Sequence, residues 1–314
     1  MQFSIIIPAR NEDGNIGRCL NSIAALEWDR SDYEVIVVDN GSHDLTAAIA
    51  IRKGARVLVR PGLTIAALRN CGAHVAQGKT LAFLDADCTV EKDWLREAVK
   101  YLPQNEVVCF GSPPVVTDDA TWVQKAWFMV RGKNRQVLDV EWLESMNMFV
   151  RRADFEKVNG FDETMVTCED YDLCVRLRAV GRIVSDSKIA AIHHGESASL
   201  SHFFKKEYWR GTSNLYGFRR HGFSWNELPS VAFPIVYGLQ ALLALVLMAA
   251  AAVTPQESLT MAALLLLLVW QAPLVMLALS KKGDAFHLTR SIQLYLLLNV
   301  YFLARGGAVL QRHP

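Results

Sequence analysis

Several familiar signatures are missing from this chain of 314 residues. Its six cysteines, Cys19, Cys71, Cys88, Cys109, Cys168 and Cys174, include no Cys-x-x-Cys pair. That excludes zinc-ribbon spacing and gives no compact disulfide framework, so free thiols in a reducing compartment are expected. No Gly-x-Gly-x-x-Gly and no Walker-type loop follows any apolar run, which excludes the usual dinucleotide and P-loop cradles. A formal net charge of +1 leaves no electrostatic case for nucleic acid as a partner. The start, Met1-Gln-Phe-Ser-Ile-Ile-Ile-Pro, has neither the basic residues nor the long apolar core of a secretory signal. The globular part is accordingly expected in the cytoplasm. Internal repeats and low-complexity segments are absent before the C-terminal third.

What is present divides unevenly. Hydrophobic residues make up 51% and the mean hydropathy is +0.15, high for a soluble enzyme, with the excess lying after residue 230. Before it, short Val/Ile/Leu-rich runs at 3–7, 34–38, 55–59 and 81–84 alternate with segments of helical spacing at 14–26, 44–53 and 63–77. This pace predicts right-handed crossovers and a mostly parallel α/β sheet covered on both faces. A helix at 91–102, a strand at 106–110, a Trp-rich helix near 120–132 and a further strand at 145–150 should follow. Parallel sheets bind ligands at the carboxyl ends of their strands, and there the polar clusters fall: Pro8-Ala9-Arg10-Asn11-Glu12, Asp39-Asn40-Gly41-Ser42 and Asp85-Ala86-Asp87.

Residues 81–88 read Leu-Ala-Phe-Leu-Asp-Ala-Asp-Cys, a buried strand whose tip carries two carboxylates. In extended backbone, side chains two apart share a face, so Asp85 and Asp87 would repel unless a cation or a proton intervenes. Mg2+ or Mn2+ suits that need, because such ions use few carboxylates and keep positions for substrate phosphates. Without a phosphate-cradling loop, cations such as Arg69 would supply the rest. A solvated turn after a strand gives the same three residues, and company decides between the readings. Thr167-Cys168-Glu169-Asp170 opens a predicted helix running to about residue 180, either as a capping box or with Asp170 accepting a proton from a substrate hydroxyl. His193 and His194 follow an apolar run at 189–192. Neighbours on a strand face opposite ways, so at most one of them can join Asp87 on a metal.

Taken together, Ile5-Ile6-Ile7-Pro8-Ala9-Arg10-Asn11-Glu12, Val37-Val38-Asp39-Asn40-Gly41-Ser42, the Arg69-Asn70-Cys71-Gly72 turn, Asp85-Ala86-Asp87, Asn159-Gly160-Phe161-Asp162-Glu163 and Glu169-Asp170 resemble a family 2 glycosyltransferase. They stand in family order over about residues 3–200. The resemblance implies the GT-A type nucleotide-diphospho-sugar transferase fold and a membrane-anchored, bacterial-type enzyme of polysaccharide or lipid-linked glycan synthesis. By it, Pro8, Ala9, Arg10, Glu12, Asp39, Arg69, Asp85 and Ala86 bind the nucleotide-sugar donor, UDP- or GDP-linked. Asp85, Asp87 and His193 hold Mn2+ or Mg2+. Asp170, with Glu169 beside it, is the catalytic base, and Gly160 and Phe161 shape the acceptor side. The family inverts the anomeric carbon in a single displacement. Two departures matter: Asn40 replaces a frequent second Asp, and the Gln-x-x-Arg-Trp signature of processive synthases is missing, Tyr208-Trp209-Arg210-Gly211 being the nearest text. One sugar per encounter is therefore expected.

Aromatic residues Phe203, Phe204, Tyr208, Trp209, Leu215's neighbour Tyr216 and Phe218 mix with Lys205, Lys206, Arg210, Arg219 and Arg220, the composition of a helix lying in an anionic headgroup region. An aromatic helix packed on protein is the competing reading. Segments 231–253 and 259–279 run without a charge, each long enough to cross a bilayer at roughly 20 residues per span. A third, 291–304, is uncharged but short for a span; crossing, re-entry and lying on the inner face are its alternatives, the last two being favoured because crossing would put Arg305 and Arg312 outside. The domains expected are 1–198 catalytic, 199–228 interfacial and 229–314 membrane. Arg219, Arg220, Lys281 and Lys282 flank the spans while the 254–258 connector has no Lys or Arg, which puts the catalytic domain on the cytoplasmic face of the inner membrane. The acceptor is then expected to be a membrane-proximal, polyprenyl-linked glycan. Polyprenyl phosphate itself as acceptor, or a catalytically silent membrane scaffold, are the alternatives.

Overall fold

In β1 (Phe3–Ala9) every residue is buried, because its two faces meet different apolar layers. Phe3, Ile5 and Ile7 point into one core and Ile6 into the other, the continuous apolar run that a strand covered on both sides requires. The computed structural model describes residues 1–131, 137–212, 218, 228–253, 257–280 and 288–308. They divide into two compact units, Met1–Asp118 with Arg131–Glu196, and Asp119–Val130 with Ser197–Pro314.

The first unit alternates β1, α1 (Ile16–Ala24), β2 (Tyr33–Asp39), α2 (Thr46–Arg52), β3 (Arg56–Val59), α3 (Ile65–Val75) and β4 (Thr80–Leu84). α1 buries Ile16, Cys19, Leu20 and Ile23, the three-and-four spacing of one helical face. After β4 come β5 (Cys88–Val90), α4 (Trp94–Ala98) with a 3-10 turn Val99–Tyr101, and β6 (Val107–Gly111), so the helix expected over 91–102 forms only in part. The unit resumes with β7 (Val137–Asp139), β8 (Asn147–Arg151), α6 (Arg152–Lys157), α7 (Glu169–Arg178), β9 (Arg182–Asp186) and β10 (Ala191–His193). One eight-stranded sheet runs β3-β2-β1-β4-β8-β6-β9-β7. β3, β2, β1 and β4 are mutually parallel, β8 is antiparallel to β4 and β6, and β6 pairs parallel with β9. The mostly parallel α/β sheet is as expected.

Two placements differ from the sequence reading. Arg69-Asn70-Cys71-Gly72 lies inside α3 and not in a turn; the Thr64 hydroxyl accepts from Ala67 N at 3.2 Å to start that helix upstream of it. The Trp-rich helix α5 (Trp122–Arg131) lies almost wholly in the segment 119–130 of the second unit, although the expected boundary grouped it with the catalytic part.

In that second unit, α8 (Leu200–Gly211) starts on the Ser199 hydroxyl, followed by α9 (Leu228–Val253), α10 (Glu257–Ser280) and α11 (Leu288–Ala308). Val123, Ala126, Trp127, Phe203, Tyr237, Leu274 and Leu297 share its apolar core. α8 is not simply laid out on a surface. Phe203 and Glu207 are buried, while Phe204 (41%) and Trp209 (49%) are exposed, and Glu207 pairs with Arg210 at 2.7 Å and Arg305 at 2.8 Å. Burial acts against that carboxylate's charge, yet the two guanidinium groups win and hold its pKa below the ordinary value. Ser230–Val253 and Glu257–Leu279, of 24 and 23 residues, are long and apolar enough to cross a membrane. Leu239, Leu242 and Leu268 on them are about three-fifths exposed or more, surface that water does not favour. Leu215, Tyr216, Arg219, Arg220, Lys281, Lys282 and Arg312, on which the expected interfacial helix and topology draw, lie outside the described residues.

Candidate active site

At the carboxyl edge of β1 and β4 a cleft of about 240 Å3 is lined by Pro8, Ala9, Arg10, Glu12, Asn40, Ile65, Leu68, Asp85, Ala86 and Asp87. Seven of the residues assigned above to donor and metal thus face one space. Three are carboxylates. Burial raises the Glu12 pKa, and Asp87 and Asp85 push it further the same way against a hydrogen bond from Asn15, so the cleft is a place where a cation would be welcome. Asp39 does not line it. It is 2% exposed, and its carboxylate accepts from Ser42 N at 3.0 Å and from the Ser42 hydroxyl, holding the turn after β2. Asn40, which does line the cleft, spends its amide on Leu63, donating to the carbonyl at 3.0 Å and accepting from the N–H at 3.1 Å.

The two aspartates part company. β4 ends at Leu84 and the chain turns, Cys88 N donating to Asp85 O at 3.0 Å, so the shared extended face expected for Asp85 and Asp87 is lost. Asp85 Oδ1 takes Arg69 Nη2 at 2.8 Å, and the other end of that guanidinium donates to Glu169 Oε1 at 2.7 Å. Arg69 is 1% exposed and packs 5.6 Å over the Phe161 ring; its Nε has no hydrogen-bond partner among the described residues. One buried cation therefore ties the cleft to the first turn of α7.

Asp87 turns to His193 instead, with Oδ2 to Nε2 at 3.0 Å. The link is made by strand pairing: β5 and β10 are antiparallel with His193 opposite Cys88. His194 faces away to the Thr89 hydroxyl at 2.9 Å, the alternation expected of neighbours on a strand. His193 Nδ1 meets Glu196 Oε1 at 3.0 Å. Burial works against a charged ring, but the hydrogen bonds to Asp87 and Glu196 outweigh it and lift His193 to about 9. Donor atoms of Asp87, Cys88 and His193 lie within 4.8 Å of one another. Burial and the neighbouring Asp85 and Asp87 push the Cys88 thiol up strongly; the Asp87 carboxylate oxygen and the His193 imidazole nitrogen are a set that suits Mn2+. These residues fit a divalent ion.

α7 begins without the expected capping box. Cys168 is the N-cap, in the left-handed conformation at φ 64°, and its own side chain makes no capping bond. The Asp170 carboxylate accepts instead from Tyr171 N at 2.8 Å and Ser145 N at 3.4 Å. Burial, then the neighbouring charges of Glu169 and Glu144, raises Asp170 to about 7, with Arg69 and the Tyr171 N–H pulling the other way. A half-buried carboxyl poised near neutrality is suited to proton transfer. Asn70 of α3 holds the segment 159–163: its amide accepts from Phe161 N at 3.0 Å and donates to Phe161 O at 2.8 Å and Glu163 Oε1 at 2.9 Å. Gly160 takes φ 64°, and a Cβ there would stand 2.7 Å from Asn70 Oδ1, so glycine is needed. Phe161 is 2% exposed, with its ring packed against Phe83 and Phe155, so it supports the loop from beneath.

Sequence reasoning missed Glu196 and Gly195, and gave Asn70 no role. The available signal was the run His193-His194-Gly195-Glu196 directly after a strand.

The chain is similar to proteins of one chemistry. It is 30% identical over 53% of its length to the glycosyltransferase AglE of Haloferax volcanii, of which the match covers 58%. It is 27% identical over 78% of its length to the pre-mycofactocin glycosyltransferase of Mycobacterium tuberculosis, of which 52% is covered. The chain thus spans little more than half the length of these relatives. Among solved structures, the mannosyltransferase PcManGT of Pyrobaculum calidifontis, in complex with GDP-Man and Mn2+, aligns with 98% of this chain and 86% of its own at a TM-score of 0.67 and 18% identity. S. aureus TarS 1-349 in complex with UDP-GlcNAc aligns with 98% of this chain and 90% of its own at 0.55 and 16%. At these identities the likeness is one of fold, the GT-A type. The sequence model of glycosyl transferase family 2 matches residues 4–165, more than half of the chain and all the strands that form the cleft, and this protein belongs to that family.

Proposed function

We propose that the protein is an inverting, non-processive glycosyltransferase that moves one sugar from a UDP- or GDP-linked donor to a membrane-proximal, lipid-linked glycan, with its catalytic unit on the cytoplasmic face of the inner membrane. The observation that carries this reading is Arg69, which joins Asp85 in the cleft to Glu169 beside Asp170. Donor-side and acceptor-side acids are thereby held by one buried group.

In this reading the donor lies along Pro8, Ala9, Arg10 and Glu12, with its diphosphate toward Asp87 and Arg69. Asp87 and His193 would hold a Mn2+ or Mg2+, which when bound supplies charge stabilisation for the departing diphosphate. Asp170 takes the proton of the acceptor hydroxyl as that oxygen bonds to the anomeric carbon. The bond from that carbon to the diphosphate breaks on the opposite face, so configuration inverts. Holding both reactants in line supplies much of the acceleration. The donor class is supported by the GDP-Man and UDP-GlcNAc bound in the neighbours of the same fold. A membrane-proximal acceptor is supported by the two long apolar helices and by the exposed Phe204 and Trp209 of α8.

The test is release of nucleoside diphosphate by the purified full chain, given Mn2+, a panel of nucleotide sugars and a lipid extract, with the product's mass identifying the acceptor. The expected result is release from one or a few donors, dependent on the extract and lost in Asp170→Asn. No release from any common donor would overturn the proposal.

A further inference from the structure

Glu196 is the buried acid that the reaction scheme above leaves without a task. It is 6% exposed and meets His193 Nδ1 at 3.0 Å, while the other ring nitrogen meets Asp87 at 3.0 Å. A carboxylate removed from water is costly unless it is hydrogen-bonded or paired, and here it meets the ring nitrogen opposite the one that Asp87 meets. The segment reaches back this far because residue 195 has no side chain: a Cβ on Gly195 would stand 1.8 Å from Asp87 Oδ2 and 3.1 Å from His193 Nε2. His193, Gly195 and Glu196 thus wrap the Asp87 carboxylate with one short stretch of chain.

We infer that Glu196 is a positioning residue that fixes the His193 ring for a divalent ion shared with Asp87, and that Gly195 is the position that lets it do so. The inference rests on the metal-dependent reading given above. With Glu196 accepting from Nδ1–H, Nε2 is the ring atom turned to Asp87, and a divalent ion bound there would take the place of the proton that Nε2 otherwise shares with that carboxylate. A carboxylate behind the metal-binding imidazole sets its tautomer and orientation and raises its basicity as a ligand. His194 has no such part, because it faces Thr89.

The experiment is a Mn2+ titration of the full chain in detergent, without donor or acceptor, read from the electron paramagnetic resonance of the free ion. Native protein should bind Mn2+. Glu196→Gln should weaken binding roughly 10- to 100-fold, Glu196→Asp less, and His194→Ala should leave it within about twofold of native. The thermal unfolding midpoint shows that each variant is folded. A folded Glu196→Gln that binds Mn2+ as native protein does would overturn the inference while leaving the metal reading intact. Native protein that binds no Mn2+ would overturn that reading and the inference with it. Should Glu196→Gln fail to fold, the nitrogen-15 shifts of His193 in native protein loaded with Mg2+ decide: a protonated Nδ1 is expected, and a protonated Nε2 overturns the inference.

Discussion

Arg69 and Glu169, 100 residues apart in sequence, meet at 2.7 Å between Nη1 and Oε1 where side-chain exposure is 2% and 9%. Removing one partner of a buried pair leaves the other charged and unpaired, at a cost of about 3–5 kcal/mol. Arg69→Met should therefore lower stability by about 3 kcal/mol, at the low end of that range because Asp85 keeps 29% of its side chain exposed. Arg69→Lys should recover only part, since a lysine offers one point of charge where two acids must be reached. Denaturant midpoints measured on the two variants check this.

Asp170→Asn keeps the shape and removes the proton acceptor. Turnover should fall about 10²- to 10⁴-fold, while donor affinity, measured by calorimetry with Mn2+, should stay within about twofold. Native turnover in this variant would remove Asp170 from its proposed role.

The pH dependence of the native chain has a definite sign. Burial first, then Glu169 and Glu144, raises Asp170 from 3.8 to about 7, so the folded chain keeps this proton where the unfolded chain has lost it. Its contribution to stability is therefore full below the unfolded value and is lost as pH rises from there through about 7. kcat/KM should do the opposite and climb through about 7 as the base ionises. Glu144→Gln, by removing one of the neighbouring charges, should shift the acid limb of kcat/KM to lower pH. A profile recorded from acid to neutral pH on both proteins shows whether it does.

Asn70 holds both the N–H and the C=O of Phe161. Asn70→Ala should loosen the segment 159–163 and raise KM for the acceptor several-fold, with KM for the donor unchanged. Equal changes in both constants would show that the amide serves the fold as a whole.

Phe204 and Trp209 are exposed on α8. Replacing both with serine should weaken binding to vesicles rich in anionic lipid while leaving donor binding unchanged. Sedimentation with such vesicles measures the effect.

Strands β1 to β4 were legible because each is a short run rich in Val, Ile or Leu, and α1 because its buried residues fall on one helical face; β9, Arg-Ile-Val-Ser-Asp, is too short and polar to stand out. Asp85, Asp87, Asp170 and His193 could be named from local pattern alone. Their partners could not, since those depend on pairings that span much of the chain. The β5–β10 register brings His193 to Asp87 across 106 residues, and a helix packed against the sheet brings Arg69 to Glu169. Asp85 and Asp87 were expected side by side because an extended chain was assumed, whereas the chain turns at once after Leu84. Glu196 went unnoticed because a lone acid after a strand usually faces water, and only the missing side chain at Gly195 folds it back.

The route of the chain through α5 bears on how the protein can be taken apart. Trp127 lies 5.0 Å from the Phe203 ring and 5.4 Å from the Tyr301 ring, and Val123 and Ala126 are buried in the same cluster. A fragment ending at Glu196 would keep α5 but lose every one of those neighbours, leaving a strip of indole and aliphatic surface open to water in the middle of an otherwise intact enzyme half. A soluble catalytic piece would require two excisions, one after Glu196 and one bridging the segment 119–130, because the sequence visits its apolar unit twice.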